Sequence, residues 1–335
     1  MIPRWLRPLG QDDPADSGWT RGTGRLDESV PSGTGVSLAG LIALRAEARR
    51  VGLGAGPRAG ATRSGGHLSP FLGLGAEYEQ SRVYAHGDDP RHMDWRVTAR
   101  SARAHVKVYR DERERPLWLL VDQGPSMRFA TRVAFKSVIA ARAAALLGWA
   151  AIERGERVGG LVFDEHGRSE HRPAARQHGL LPLLKALTPA RAGGRAAGYP
   201  TPMRAAERLR QLIRPGSLVF AISDFARITA DDTRWAGALA ERGELVLISV
   251  NDPIELRAPP PGRYPLVSAD GVRRVLDTRS AGRRALYEGR FARRYRLLQE
   301  LCRIPGVHLL SLRTDLPVAA SLARGLNQRL YTTTP

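Results

Sequence analysis

Apolar residues become regularly spaced along this chain from residue 116 onwards. Residues 117–122 form a continuous apolar run, which is typical of a strand covered on both faces. Similar runs predict further strands at 157–164, 217–224, 244–251 and 307–312. Helical spacing between and after these runs predicts helices at 131–153, 178–187, 202–213, 231–242, 281–303 and 316–324. A hairpin is predicted over 264–277, turning at 269–271, and Gly325 is placed to end the last helix.

This alternation predicts the fold class. Strands that alternate with helices of ten to twenty residues favour right-handed crossovers, so we expect an α/β fold with a doubly wound, mainly parallel sheet and helices on both faces. Ligands of such folds bind at the carboxyl ends of the strands, near the switch point in strand order. Four aspartates lie at or just beyond predicted strand ends: Asp122, Asp164, Asp224 and Asp252.

The pattern before residue 116 is less regular. Residues 1–35 are rich in Gly, Pro, Ser, Asp and Thr, which indicates a disordered leader. Residues 36–115 form an N-terminal extension with a predicted helix at 37–50 and short strands, one of them at 105–109. The predicted α/β domain spans 116–328, and 329–335 form a tail.

Charge and composition leave one alternative function open. The formal net charge is +19 and the isoelectric point about 11.2, a balance that suits nucleic acid or an anionic membrane surface. Almost all of the positive charge is arginine, since the only lysines are Lys107, Lys136 and Lys185. We interpret this as a composition bias rather than a binding signal. The basic helix at 281–303 has an apolar face that includes Leu286, Tyr287 and Phe291, so it is expected to cover the sheet.

Other composition features narrow the cellular setting. Cys302 is the only cysteine, so the chain forms no intramolecular disulfide. No apolar run approaches the roughly 18 residues of a membrane span, and the first residues lack the apolar core of a secretory signal. We expect a cytoplasmic location, with peripheral membrane contact as a further option.

The first candidate site follows the strand at 117–122. Asp122 ends this strand, and Ser126 follows four residues later in a short loop. A carboxylate and a hydroxyl in such a loop suit a hard cation, because Mg²⁺ takes oxygen ligands and keeps several waters. The alternative is that Asp122 and Ser126 only satisfy loop amides or cap the next helix.

The second candidate site is a segment of interleaved charges, which we call the charged elbow. It covers residues 82–100, and its candidate partner-binding residues are Arg82, Tyr84, Asp88, Asp89, Arg91, Asp94, Trp95 and Arg100. Aspartate–arginine pairs within it could form a purely structural clasp. The alternative is a docking surface, because aromatic residues and arginine dominate binding hot spots.

The aspartate–serine loop resembles the metal-ion-dependent adhesion site of von Willebrand factor type A domains, whose motif is DxSxS. The resemblance implies two further ligands, a threonine on a later loop and an aspartate after a later strand, for which the matching residues are Thr201 and Asp224. Gly124 stands where the motif has its first serine, which removes one direct oxygen ligand. Mg²⁺ is therefore the cofactor that the resemblance implies, at a degenerate site.

Over residues 36–280 the chain resembles the bacterial domain-of-unknown-function-58 family. The matching residues include the Gly87-Asp-Asp-x-Arg91-x-x-Asp94-Trp95 run, Ser126-Met127, Ser223-Asp-Phe225 and Asp252-Pro-x-Glu255. The resemblance implies a von Willebrand A-like domain. It also implies a partner, since such proteins are usually encoded beside a MoxR-type AAA+ ATPase and are thought to act with it on client proteins.

These observations favour a non-enzymatic binding and scaffold protein. No Ser–His–Asp order or other catalytic set is recognisable in the sequence. Two alternatives remain: an arginine-driven binder of nucleic acid or anionic membranes, and a metal-dependent hydrolase that uses the same strand-end carboxylates.

Overall fold

The computed structural model describes residues 33–51, 53, 76–111, 115–188, 202–229, 233–267 and 272–331. These residues belong to two compact units. The sheet unit contains residues 33–53 and 115–331, and the hairpin unit contains residues 76–111. The predicted N-terminal extension is thus divided, because its helix belongs to the sheet unit. The first 32 residues of the predicted leader, the turn at 269–271 and Thr201 lie outside the described residues.

The described strands and helices are as follows. The strands are β1 (Ala76–Val83), β2 (His105–Asp111), β3 (Leu117–Asp122), β4 (Val158–Asp164), β5 (Gly167–Ala174), β6 (Ser217–Ser223), β7 (Gly243–Asn251), β8 (Arg263–Val267), β9 (Arg273–Asp277) and β10 (Val307–Arg313). The helices are α1 (Leu38–Ala43), α2 (Arg45–Ala48), α3 (Trp95–Ser101), α4 (Lys136–Glu153), α5 (Gln177–Leu187), α6 (Pro202–Leu212), α7 (Thr233–Ala240), α8 (Pro253–Leu256), α9 (Ala281–Leu301) and α10 (Val318–Tyr331). None of these helices combines the length and the apolar composition that crossing a bilayer requires.

Six strands form the central sheet of the sheet unit, in the order β10-β7-β6-β3-β4-β5. All neighbours are parallel except the edge strand β5, which runs antiparallel to β4. Counted along the chain, the order is sixth, fifth, fourth, first, second, third, which is doubly wound with its switch point between β3 and β6. The predicted doubly wound, mainly parallel sheet is therefore confirmed, and its switch point joins the strands that end at Asp122 and Ser223.

Helices cover both faces of this sheet. Strand β3 is buried along its whole length, as its unbroken apolar sequence predicts. Leu119 and Val121 face a core that includes α1, α2, α4, α5 and α10, whereas Trp118 and Leu120 face a second core with α6, α7 and α9. The indole Nε1 of Trp149 donates to the Leu41 carbonyl at 3.1 Å, which ties α1 to α4.

Two predictions about elements of the sheet unit were wrong. The last helix does not stop at Gly325 but continues to Tyr331. A Cβ at residue 325 would lie 2.4 Å from Leu310 Cδ1, so this glycine allows α10 to approach β10 closely. The edge strand β5 was not predicted, because its largely polar sequence gives no apolar run.

We expect Gly179→Ala to destabilise the sheet unit by about 3 kcal/mol or more, because overpacking against backbone cannot be relieved by a rotamer change. A Cβ at this position in α5 would lie 2.2 Å from the Val158 carbonyl oxygen and 2.4 Å from that of Ala174. The free energy of unfolding in urea measures this effect.

The matched control is Gly237→Ala in α7, where an added Cβ meets no atom within 4 Å. Alanine is the better helix former there, so we expect a gain of up to about 1 kcal/mol. Equal stability of the two variants would contradict the close approach of α5 to β4 and β5.

Candidate binding site at the strand ends

The carboxyl ends of β3 and β6 bring three predicted site residues together. We call Asp122, Ser126, Ser223 and Asp224 the strand-end site. Ser126 Oγ donates to Asp224 Oδ1 at 3.3 Å, and Asp122 Oδ2 accepts from Ser223 Oγ at 2.7 Å. These residues border a cavity of about 30 Å³, and the Ser126 side is exposed while both carboxylates are buried. Asp122, Ser126 and Asp224 thus lie in one site; their role as ligands stays a prediction.

Asp122 holds the loop that follows its own strand. Its Oδ1 accepts from the Gly124 N–H at 2.8 Å, so the carboxylate closes a tight turn after β3. The Ser223 hydroxyl, which donates to Asp122, also accepts from the Phe225 N–H at 3.0 Å. Phe225 has a φ of +49°, a left-handed conformation that side chains disfavour. Asp122 therefore accepts from a loop amide, which is one of the two structural roles considered for it. It does not cap the next helix, because the N-cap residue of α4 is Phe135.

Asp224 belongs to a buried ionic cluster that the sequence analysis did not predict. Lys136 Nζ lies 2.6 Å from Asp224 Oδ2 and 2.8 Å from Glu255 Oε1. The side chains of Lys136 and Asp224 are each only 2% exposed, so we call these three residues the buried ionic triad. A charge in such a dry environment is tolerated only when it is paired and hydrogen-bonded.

The triad fixes the protonation state of Asp224. Burial is the largest single influence and raises the pKa of this carboxyl, whereas the charge and hydrogen bond of Lys136 are the main influences that lower it. With smaller contributions from the Ala226 N–H and Arg294, they hold the pKa below its usual value. Asp224 is therefore ionised at neutral pH, and its Oδ1 remains an acceptor for Ser126.

Glu255 connects the triad to the next strand end. It forms a capping box with Asp252 at the start of α8, where Glu255 Oε2 accepts from the Asp252 N–H at 2.9 Å. Asp252, which is fully buried, accepts from the Thr131 N–H at 2.9 Å and the Thr314 hydroxyl at 2.7 Å. The loops after β3, β7 and β10 are thereby tied together beside the strand-end site.

The signal for Lys136 was present in the sequence. It is one of three lysines in a chain with 52 lysines and arginines, and it lies near the start of an apolar helix, which the structure begins at Lys136. The first turn of a helix favours acidic residues because of the helix dipole, so a buried lysine there points to a carboxylate partner elsewhere. Its partners lie 88 and 119 residues away, and spacing along the chain could not identify them.

The described residues of the strand-end site do not fit a divalent cation bound through Asp224 Oδ2. Gly124 offers no side-chain oxygen, and Asp224 Oδ2 is already paired with Lys136 at 2.6 Å. A cation on that oxygen would lie within about 5 Å of the ammonium, because Mg²⁺ binds oxygen at about 2.1 Å. At an effective dielectric constant of about 20, the repulsion is on the order of 7 kcal/mol.

The acidic residues of the charged elbow mostly hold its own backbone. Within the hairpin unit, β1 pairs with β2 in antiparallel orientation. Arg82 forms a bidentate pair with Asp88 at 2.6 and 2.8 Å, and Asp88 also accepts from the Ala85 N–H. Asp89 accepts from the Arg91 N–H at 2.9 Å, which starts a short 3-10 turn.

Asp94 is the central acidic residue of the elbow. It caps α3 by accepting from the Arg96 and Val97 N–H groups, and its Oδ2 accepts from the Ser81 hydroxyl at 2.6 Å. These hydrogen bonds, led by that of Ser81, lower the pKa of the Asp94 carboxyl. The contacts therefore agree with the interpretation of the elbow as a structural clasp for four of its residues, which are Arg82, Asp88, Asp89 and Asp94.

The remaining candidate residues of the elbow are exposed or half-buried. Trp95 is 71% exposed, although tryptophan is usually well buried. Arg91 and Arg100 are also exposed, and Tyr84 is half-buried. The elbow thus combines a backbone held by its own hydrogen bonds with an exposed aromatic side chain and exposed arginines, among them Arg91 and Arg100.

The basic helix α9 also has side chains that make specific contacts and others that are exposed. Arg294 donates to Asn251 Oδ1 at 3.2 Å and lies 4.8 Å from the Phe291 ring, and the Tyr287 hydroxyl donates to the Ile254 carbonyl. Leu286 was predicted to belong to the apolar face that covers the sheet, but its side chain is 74% exposed.

We expect Lys136→Met to destabilise the sheet unit by about 3–5 kcal/mol at neutral pH, because it removes the close counter-charge of Asp224 and leaves Glu255 only the more distant Arg294 at 3.9 Å. In the wild type the lowered Asp224 pKa stabilises the fold above the unfolded-state value of 3.8 and this contribution is lost as the pH falls. In the variant, burial dominates and raises the Asp224 pKa, so protonation relieves the penalty. Urea unfolding should show the difference from wild type shrinking as the pH is lowered.

The control for this prediction is Lys185→Met, since Lys185 is an exposed lysine of α5. We expect it to change stability by less than about 0.5 kcal/mol at any pH. A Lys136→Met difference that does not depend on pH would mean that lost packing, not lost charge, causes the destabilisation.

Comparison with known proteins places the chain in a family. A family model described as "Protein of unknown function DUF58" matches residues 80–296. Two relatives, uncharacterized protein Mb1516 of Mycobacterium bovis and uncharacterized protein Rv1480 of Mycobacterium tuberculosis, are each 34% identical over 271 residues. These alignments cover 79% of this chain and 83% of each relative.

Among solved structures, the crystal structure of the SpRpn10 VWA domain is similar over 64% of this chain and 94% of that chain, with a TM-score of 0.35 and 10% identity. The family match includes both the elbow from Arg82 onwards and the strand-end site. The chain therefore belongs to the DUF58 family of proteins of unknown function.

Proposed function

We propose that this chain is a non-enzymatic binding and scaffold protein that acts with a MoxR-type AAA+ ATPase on client proteins. The partner is inferred from the resemblance to relatives encoded beside such ATPases. The observation that carries the proposal is the exposed Trp95 on a helix whose start is fixed by Asp94.

The elbow has the physical properties of a docking surface. Tryptophan and arginine are enriched among residues that contribute most to binding, and a rigid backbone lowers the entropy lost on association. The Arg82–Asp88 pair and the Asp94 cap hold the backbone, so that Trp95 and Arg91 need little further ordering.

The strand-end site supports binding rather than catalysis. A general base works best with a pKa near the operating pH, whereas the pKa of Asp224 is lowered by its contact with Lys136. Both oxygens of Asp122 already accept from Gly124 and Ser223. Ser126, the exposed hydroxyl of the site, is the group through which we propose that it contacts a client.

We expect Trp95→Ala to weaken the complex with the MoxR-type ATPase encoded beside this gene by roughly thirty-fold or more, which corresponds to about 2 kcal/mol. The full-length chain and the ATPase, loaded with a non-hydrolysable ATP analogue, are compared by biolayer interferometry. Circular dichroism establishes that the variant remains folded.

Leu286→Ala is the matched control, because Leu286 is as exposed as Trp95 but lies on α9. We expect its affinity to stay within about twofold of wild type. A wild-type chain that forms no complex with such an ATPase would contradict the proposed partner. A complex unaffected by Trp95→Ala would instead contradict the elbow as its docking surface.

A further inference from the structure

We infer that the ammonium of Lys136 serves as the built-in cation of the strand-end site, in place of the divalent metal that the family resemblance implies. The inference concerns the same site as the proposed function but does not depend on who the partner is. It predicts that the site is assembled, and remains assembled, without Mg²⁺ or Mn²⁺.

The first argument is the placement of the ammonium. Lys136 Nζ contacts Asp224 on Oδ2 at 2.6 Å, while Asp224 Oδ1 accepts from Ser126 at 3.3 Å and from the Ala226 N–H at 3.0 Å. One carboxylate therefore links the buried cation to the exposed hydroxyl of the loop. This is the connection that a metal ion would otherwise make between an aspartate and a serine.

The second argument is that the lysine is held on several sides. Glu255 Oε1 accepts from its ammonium at 2.8 Å, and the ring of Phe129 lies 5.7 Å from Nζ. The Lys136 N–H donates to the Phe129 carbonyl at 3.1 Å, which positions the start of α4 beside the loop. Because the side chain is almost completely enclosed, the ammonium cannot move into solvent to vacate the site for a metal.

The third argument is the ligand set. Mg²⁺ and Mn²⁺ need several oxygen ligands, and Gly124 supplies no side-chain oxygen where the adhesion motif has a serine. No group of three or more His, Cys, Asp or Glu side chains in the described part of the chain is arranged to hold a metal ion. A lysine needs fewer partners than a divalent ion, and the two carboxylates of the triad meet that need.

The first test measures metal binding to the full-length wild-type chain. We expect isothermal titration with MnCl₂ to show no saturable site, and the melting temperature to be the same in EDTA, MgCl₂ and MnCl₂. A saturable Mn²⁺ site in the wild type that is lost in Asp224→Asn would overturn the inference.

The second test removes the ammonium. In Lys136→Ala the carboxylates of Asp224 and Glu255 lose the cation that they share, and water can enter the space that the side chain leaves. Two carboxylates completed by waters form a weak metal site, so we expect this variant to gain one weak but saturable Mn²⁺ site and a melting temperature that rises with MnCl₂. The gain should disappear in the double variant Lys136→Ala/Asp224→Asn. Lys185→Ala removes an exposed lysine and should gain no site.

The outcomes separate this inference from the proposed function. A folded Lys136→Ala chain that gains no Mn²⁺ site would contradict the assignment of the ammonium to a cation position. If Lys136→Ala fails to fold, the wild-type titration decides alone. None of these measurements includes the ATPase, so failure of the partner proposal would leave them unchanged.

Discussion

The two ionic contacts of Lys136 are the constraint on which the strand-end site depends. They join the first residue of α4 to the end of β6 and to α8, three elements that are far apart in the chain. Removing the Lys136 ammonium takes away the charge that both carboxylates share, which is strongly destabilising for groups this deeply buried. The three residues therefore act as a unit, and the loops that carry Ser126 and Phe225 take their positions from it.

The doubly wound topology explains why this cluster forms where it does. At the switch point, the chain leaves β3 and β6 toward opposite faces of the sheet, which opens a crevice between their carboxyl ends. Asp122 and Asp224 line that crevice because Asp122 is the last residue of the apolar strand β3 and Asp224 directly follows the apolar strand β6. In many folds of this kind a ligand compensates the charges at such a position, whereas here α4 supplies a lysine from within the fold.

The sequence predicted the parts of this arrangement that depend on local pattern. The strand ending at Asp122 was predicted with its observed bounds, and parallel topology was sufficient to bring Asp122, Ser126 and Asp224 together. The triad could not be predicted in the same way, because its contacts span 88 and 119 residues. Gly325 was misread for a related reason, since its role depends on Leu310 in a neighbouring strand and not on the helix itself.

The charged elbow shows the same separation between residues that build a surface and residues that present it. Its interleaved charges suggested that all of its charged residues could form one docking surface. In the structure, however, Asp88 pairs with Arg82, and Asp94 caps the start of α3. Trp95 follows directly after the cap and is left exposed. At the strand ends, Asp224 is likewise buried and paired with Lys136, while Ser126 is exposed. In both units carboxylates that are engaged in hydrogen bonds fix a backbone, and exposed side chains lie directly beside them.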